Sequence, residues 1–184
     1  VQVRKGGAVF YRGSCKGADH LRLYASVVDA FGYVDEELGI TEKKDPLEDG
    51  DKAWVKPLQE LSMSTNLLGA CLFASICLAV KGKTWASLYT SVTGRELSLD
   101  DLLKAAERVI NMERMINVRF GFDRQDDKLP KRLLKEPAAD GVGQGQVVDM
   151  DKVLDSYYES MGWDIATGVP KPEKLEALNL GWMA

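Results

Sequence analysis

The chain has 184 residues, of which 45% are hydrophobic and 28% are charged, and its formal net charge is -4 at pH 7. This composition suits one globular domain or two small ones, and mild acidity without a basic block argues against a nucleic-acid partner. The 3 cysteines form no C-x-x-C pair, and the 1 histidine excludes a self-contained site that needs several histidine ligands. An odd cysteine count without a signal-peptide pattern favours a reducing compartment, so we expect a cytoplasmic protein.

The first fifty residues or so carry little helical signal. Residues 1–18 are rich in glycine and predict a loop, with a short strand at 8–11. Residues 20–29 predict a short helix, and a charged connection follows over 31–51. Because the chain begins with Val1 rather than Met, we expect a fragment, a processed chain or a separately encoded subunit.

Helical spacing begins after this connection. Apolar residues recur every three or four positions from Lys52 onward, with Pro57 in the first turns. The apolar run 67–80 is shorter than the roughly 20 residues that a membrane span needs, so it predicts a buried helix and no span. Residues 84–93 predict another short helix that ends at Gly94.

The clearest helical pattern covers residues 98–119. Ser98 and Asp101 resemble a capping box at its start, and a wide apolar stripe follows. The charged residues that flank this stripe are Glu107, Arg108, Glu113 and Arg114. They predict a solvated face with helical ion pairs rather than a catalytic role.

The last third of the chain alternates between loop and helix signals. Residues 120–147 contain two prolines and several glycines, and they predict a long ordered loop with one helical turn at Lys131–Lys135. A helix is predicted at Met150–Met161 after Asp149, and a last short one begins at Pro172. The aromatic residues expected in the core or at an interface are Tyr157, Tyr158, Trp163 and Trp182. Strand signal is scarce throughout, so the predicted fold class is mainly α.

The most informative segment is 66–73, Asn-Leu-Leu-Gly-Ala-Cys-Leu-Phe, which places one thiol near a glycine. Free cysteine is among the most buried residue types, and its thiolate is also a ligand for soft metal centres. The residues alone therefore leave Cys71 either as an ordinary core residue or as a metal ligand. Cys77 would face away from Cys71 on a helix, and no spacing supports Cys15, so both are predicted to be non-ligands.

Four segments, in this order, resemble motifs in the C-terminal third of the tungsten-dependent aldehyde ferredoxin oxidoreductases. Residues 16–22, K-G-A-D-H-L-R, resemble R-G-A-C/D-H-L, and residues 66–71, N-L-L-G-A-C, resemble D-x-x-G-L-C. Residues 106–117, A-E-R-V-I-N-M-E-R-M-I-N, resemble G-E-R-I-W-N-x-E-R-x-F-N, and residues 126–132, D-D-K-L-P-K-R, resemble D-D-x-L-P-x-R. The resemblance covers about the whole chain, so residues 1–184 are identified as the C-terminal helical region, domains 2 and 3, of such an enzyme.

The resemblance implies helical domains beside a tungsten (or molybdenum) bis-pterin cofactor and a [4Fe-4S] cluster. Cys71 falls at the position of the fourth cluster ligand, and Fe–S clusters are held by cysteine thiolates. The other three ligands belong to an upstream C-x-x-C-x-x-x-C segment, so a larger chain or upstream segment is implied as a partner. Gly69 is expected to let the backbone approach a bulky cofactor closely.

The resemblance also assigns four further positions to the site. His20 corresponds to a histidine near the tungsten, in the catalytic role of proton transfer, which suits a group with a pKa of about 6.5. Lys16 replaces an arginine that contacts the pterin and loses its bidentate fork. Asn66 replaces an aspartate that accepts from pterin N–H groups, and Ala70 replaces a leucine. With Cys71, these residues form the implied cofactor site of a divergent branch.

The implied reaction converts an aldehyde and water into a carboxylic acid, and two electrons leave through the cluster to ferredoxin or an electron-transfer subunit. The chain would be active only with the upstream segment. The departures at Lys16 and Asn66 motivate one alternative, reduction of an aromatic acyl-CoA of the benzoyl-CoA type. A second alternative is a non-catalytic scaffold subunit.

Overall fold

The computed structural model describes residues 15, 17, 19, 21–24, 26–45, 47, 53–77, 80–141 and 143–184. The helices in these ranges are α1 Ser26–Phe31, α2 Val55–Leu67, α3 Leu72–Cys77, α4 Gly82–Thr93, α5 Leu99–Arg119, α6 Lys131–Lys135, α7 Met150–Met161 and α8 Pro172–Ala177. Short 3-10 turns lie at Glu36–Leu38, Arg124–Asp126 and Gly181–Met183. The described residues contain isolated β-bridges but no strand, which confirms the mainly α class. The strand predicted at 8–11 lies outside them.

The core lies between α2 and α5. Leu61 on α2 and Ala106 and Ile110 on α5 are almost completely buried. Ser62 and Ser64 share the buried face of α2, and each hydroxyl donates to the carbonyl four residues earlier, at 2.9 and 2.8 Å. Because these small polar groups bond within their own helix, they can be buried without leaving a donor unsatisfied.

Helix boundaries agree with the local signals in the sequence. α4 ends at Gly94, which has a φ of 70°, and α5 begins after Ser98, whose hydroxyl accepts the amide of Asp101 at 3.0 Å. Asp149 caps α7 by accepting the amide of Lys152. Each such N-cap stabilises a helix by about 1 kcal/mol. The helix predictions at 84–93, 98–119 and Met150–Met161 are confirmed, and the observed ends lie within two residues of the predicted ones. In the long loop 120–147, the expected turn at Lys131–Lys135 is present.

Two helix predictions need correction. The run 67–80 is not one buried helix, because a left-handed turn at Gly69 separates α2 from α3, and Phe73 on α3 is 47% exposed. The helix expected at 20–29 begins at Ser26. Upstream of it, the carboxylate of Asp19 accepts the amide of Leu21 at 2.9 Å, a local turn that competes with helix.

The predicted aromatic core is confirmed at three of four positions. Tyr157, Tyr158 and Trp163 are buried, and their ring centroids lie 5.6 to 6.1 Å apart. Trp182 is 67% exposed and is therefore not a core residue. No helix among the described residues is both long and apolar enough to cross a membrane.

Candidate functional site

The turn between α2 and α3 is built by the end of α2. Gly69 has a φ of 66°, and its amide donates to the carbonyl of Asn66 at 3.1 Å, while the amide of Ala70 donates to the carbonyl of Thr65 at 2.8 Å. These two bonds form a Schellman motif, in which a left-handed residue ends the helix and satisfies its last carbonyls. Among the described residues, no atom lies within 4 Å of the place where a Cβ of Gly69 would be. The glycine is thus required by the backbone, and no described residue fills the space above it.

Cys71 follows this turn directly. It is exposed and carries a free thiol, and its carbonyl accepts the amide of Ala74 at 3.0 Å in the first turn of α3. Among the described residues Cys71 therefore does not lie in the hydrophobic core, and its role as a metal ligand stays a prediction. The Schellman motif on one side and α3 on the other fix the backbone that presents the thiol.

Exposed apolar side chains lie on the two helices that flank the turn: Leu67 is 46% exposed at the end of α2, and Phe73 is 47% exposed on α3. Leu21, in the segment before α1, is 39% exposed, and Asn66 is exposed at the end of α2. Phe73 meets Tyr24 edge to face, with ring centroids 6.2 Å apart. This contact places Tyr24, two residues after the segment 16–22, against Phe73, two residues after the segment 66–71.

Lys16 and His20 lie outside the described residues. The residues around them are anchored to α5. Arg22 pairs with Glu113 at 3.3 Å, and the side-chain amide of Asn117 donates to the carbonyl of Cys15 at 2.8 Å. The structure therefore brings together Asn66, Ala70 and Cys71, and it leaves the placement of Lys16 and His20 as a prediction.

Cys15 differs from Cys71 in its surroundings. It is partly buried, and its Sγ lies 3.8 Å from the carbonyl oxygen of Ile110. Burial, with Glu113 adding to its effect, raises the pKa of the Cys15 thiol to about 12. At neutral pH this thiol is protonated, and a protonated thiol is a poor nucleophile and metal ligand. The side chain of Cys77 is outside the described residues.

The charged residues of α5 do not form the solvated face that the sequence predicts. Arg114 is 4% exposed, and its guanidinium lies 2.9 Å from the carboxylate of Asp127. Glu107 pairs with Lys56 at 3.1 Å and also with Lys174. The prediction of a solvated face is therefore wrong for Glu107 and Arg114, because their partners come from distant segments that no local pattern reveals. Of Arg108 and Arg114, only Arg108 is exposed.

The two carboxylates that meet Lys56 have opposite pKa shifts. Burial raises the pKa of Glu60, and Lys56, whose Nζ lies 2.5 Å from its carboxylate, only partly offsets this. Burial also acts on Glu107, but its hydrogen bond to Lys174 and the charge of Lys56 outweigh it, so its pKa lies below the ordinary value. Since the charges are balanced pairwise, we interpret this cluster as structural.

A cavity of about 520 Å³ opens beside the D-D-K-L-P-K-R segment. Its lining includes Arg124, Asp127, Lys128, Val148, Asp151 and Leu154. Arg124 is held by Asp155 at 2.7 Å and Asp151 at 3.3 Å, and Asp127 is held by Arg114. These charges are thus neutralised by one another within the fold.

Comparison with known proteins agrees with this arrangement. The family model described as aldehyde ferredoxin oxidoreductase, domains 2 and 3, matches residues 1–180. The chain is 31% identical over 179 residues to the tungsten-containing aldehyde ferredoxin oxidoreductase of Pyrococcus horikoshii and 32% identical over 180 residues to that of Pyrococcus furiosus. Each match covers 96% of this chain and 28% of the relative. The chain therefore belongs to the aldehyde ferredoxin oxidoreductase family and corresponds to its domains 2 and 3.

Proposed function

We propose that this chain is the C-terminal part of a tungsten (or molybdenum) bis-pterin oxidoreductase that converts aldehydes and water into carboxylic acids. The observation that carries the proposal is the exposed free thiol of Cys71, held at a rigid turn in a chain that matches the family over residues 1–180. When bound, a [4Fe-4S] cluster would carry the two electrons released per aldehyde to ferredoxin or an electron-transfer subunit. Cys71 is one ligand of that cluster.

The turn around Cys71 fits a bulky cofactor. The thiol is exposed, no described residue fills the space over Gly69, and Leu67 and Phe73 leave about half of their apolar surface uncovered. When bound, the tungsten and the cluster supply the redox chemistry, while the protein binds, orients and shields them. Ala70 contributes backbone beside the pterin, and the exposed amide of Asn66 offers it one acceptor and two donors.

The remaining ligands come from another segment. Among the described residues, no group of three or more His, Cys, Asp or Glu side chains could hold a metal ion. The chain spans 28% of the length of the curated relatives that it matches. An upstream segment or partner chain therefore supplies the other cluster cysteines and the first pterin-binding domain, and free thiols at Cys15 and Cys71 suit the reducing cytoplasm.

His20 and Lys16 complete the proposed site. His20 holds and moves a proton near the reacting aldehyde, because imidazole changes its charge near neutral pH. Lys16 places a cation against the polar edge of the pterin, as a point charge without the bidentate geometry of arginine. Both roles rest on the family motif at residues 16–22.

The test is to purify the chain with its partners under anoxic conditions and to measure mass and metal content. We expect a larger polypeptide, tungsten or molybdenum, and about four iron atoms per complex, together with oxidation of aldehydes coupled to ferredoxin reduction. Cys71→Ala should lower the iron content, whereas Cys15→Ala, the matched control, should not. Turnover of an aromatic acyl-CoA in place of aldehydes would support the reductase alternative. Unchanged iron in Cys71→Ala would support the scaffold alternative.

A further inference from the structure

A buried hydrogen bond joins the helix that follows Cys71 to α4. Nε1 of Trp85 donates to the hydroxyl of Ser75 at 2.6 Å. Ser75 is fully buried, and Trp85 is partly buried and packs against the core. The bond therefore connects α3 to a helix that is itself held in the main body of the fold.

The helix α3 needs such an anchor. It has 6 residues, which is too short to be stable by its own hydrogen bonds. A narrow cavity of about 10 Å³ lies beneath it, lined in part by Leu61, Leu72 and Ser75. Packing against α2 is thus incomplete at this place, and the ring of Phe73 is half-exposed while it meets Tyr24 edge to face. Among the described residues, the Ser75–Trp85 bond is a side-chain polar contact that ties α3 to α4, and it acts beside the edge-to-face contact between Phe73 and Tyr24.

The position of α3 in turn sets the position of the thiol. Cys71 is joined to α3 through the bond from the Ala74 amide to its carbonyl, at 3.0 Å, and Ser75 is the next residue along the helix. The upstream side of Cys71 is fixed by the turn at Gly69, so movement of α3 is what remains to displace the thiol. Mutation of groups that orient a metal ligand without touching the metal typically costs about 10- to 100-fold in metal affinity or activity.

We propose that Ser75 and Trp85 are positioning residues for Cys71 as a ligand of the iron–sulfur cluster. The inference rests on the proposed function, because it takes Cys71 as a cluster ligand. Ser75 and Trp85 do not touch the cluster; they keep α3, and with it the sulfur of Cys71, in one place. The cluster environment should therefore depend on a hydrogen bond that lies beneath the helix.

The test uses the assembled complex, prepared with Ser75→Ala, Trp85→Phe, the double variant and Ser75→Thr. Trp163→Phe is the matched control, because Nε1 of Trp163 makes the same kind of bond, to Asn111 at 2.9 Å, between α5 and the segment after α7. The readouts are the EPR spectrum and midpoint potential of the reduced cluster and the rate of iron loss to a chelator. These report on the cluster rather than on the overall stability of the complex.

Ser75→Ala and Trp85→Phe should each shift the midpoint potential, broaden the EPR signal and speed iron loss roughly tenfold. The double variant should be no worse than the more affected single variant, because both act through one bond. Ser75→Thr, which keeps the hydroxyl and has the small cavity for its methyl group, should retain the wild-type potential. Suppose that Ser75→Ala and Trp85→Phe give the same cluster readouts as Trp163→Phe, while Cys71→Ala loses iron. The positioning role of Ser75 and Trp85 is then wrong, and the proposed function stands. If Cys71→Ala keeps its iron, the proposed function itself fails.

Discussion

The guanidinium of Arg114 lies 2.9 Å from the carboxylate of Asp127, and the two side chains are only 5% and 12% exposed. Nε of Arg114 also donates to the carbonyl of Gly168 at 2.8 Å, and the hydroxyl of Tyr158 donates to the carboxylate of Asp127. The pair thereby connects α5, α7 and two loops. Because both charges are buried and hydrogen-bonded, removal of either one leaves the other uncompensated.

We expect Arg114→Met to lower the free energy of unfolding by about 3 kcal/mol, since it leaves the carboxylate of Asp127 buried without its cation. Urea titration followed by circular dichroism measures this loss. Arg108→Met is the control, because Arg108 is an exposed arginine on the same helix and should cost less than about 0.5 kcal/mol. Equal losses for the two variants would contradict the buried-pair interpretation.

The features that sequence could predict are local ones. The start of α5 at Ser98, the end of α4 at Gly94 and the start of α7 at Asp149 follow from side chains that bond their own backbone. Such signals need only neighbouring residues. The position of Cys71 after a glycine was equally visible, but its exposure was not, because an apolar run of this length is typical of both buried and half-exposed helices.

The features that sequence missed depend on distant partners. Glu107 and Arg114 have the spacing of a solvated helical face, yet Lys56, Lys174 and Asp127 come from other segments and bury them. The bond between Ser75 and Trp85 joins two consecutive helices, but the pattern of either helix does not show that these two side chains meet. A hydrophobic pattern carries no information about which charges or donors meet across the core, so these contacts emerge only from the fold.

The stability that Glu107 contributes should be lost on acidification. The pKa of Glu107 in the folded chain lies below the ordinary 4.5. Its contribution to stability is therefore fully present at a pH above the pKa of the unfolded chain, and it is lost as the pH falls through the pKa of the folded chain. Glu107→Gln should therefore lower the free energy of unfolding by about 2 kcal/mol at neutral pH, and the difference from wild type should narrow below pH 4.5.

Urea titrations of wild type and Glu107→Gln over this pH range measure the difference directly. Glu60 is present in both proteins, and its raised pKa, to which the charge of Glu107 contributes, acts in the opposite direction. Glu159→Gln serves as the control, because Glu159 is exposed on α7. If the difference in the free energy of unfolding between wild type and Glu107→Gln stays constant with pH, ionisation of Glu107 is not its cause.

Gly69 and Gly94 offer a matched pair of substitutions. Both follow the end of a helix, at φ values of 66° and 70°, and neither has an atom within 4 Å of an added Cβ. Gly69→Ala and Gly94→Ala should each cost roughly 1 kcal/mol of stability, because alanine is strained in the left-handed region. Only Gly69→Ala should also lower the iron content of the assembled complex, since only Gly69 belongs to the turn that presents Cys71. Equal iron content in the two variants would show that cluster binding does not depend on the shape of this turn.

Thiol labelling distinguishes Cys71 from Cys15 without any assumption about activity. Cys71 is exposed, whereas the pKa of Cys15 is raised to about 12, so at pH 8 only about one Cys15 thiol in ten thousand is ionised. In a Cys77→Ala background, iodoacetamide followed by peptide mapping should modify Cys71 readily and Cys15 very slowly. In the assembled complex, Cys71 should become protected because its sulfur is bound, while the slow rate at Cys15 stays unchanged. Continued labelling of Cys71 in a complex that holds its full iron content would show that the fourth ligand comes from elsewhere.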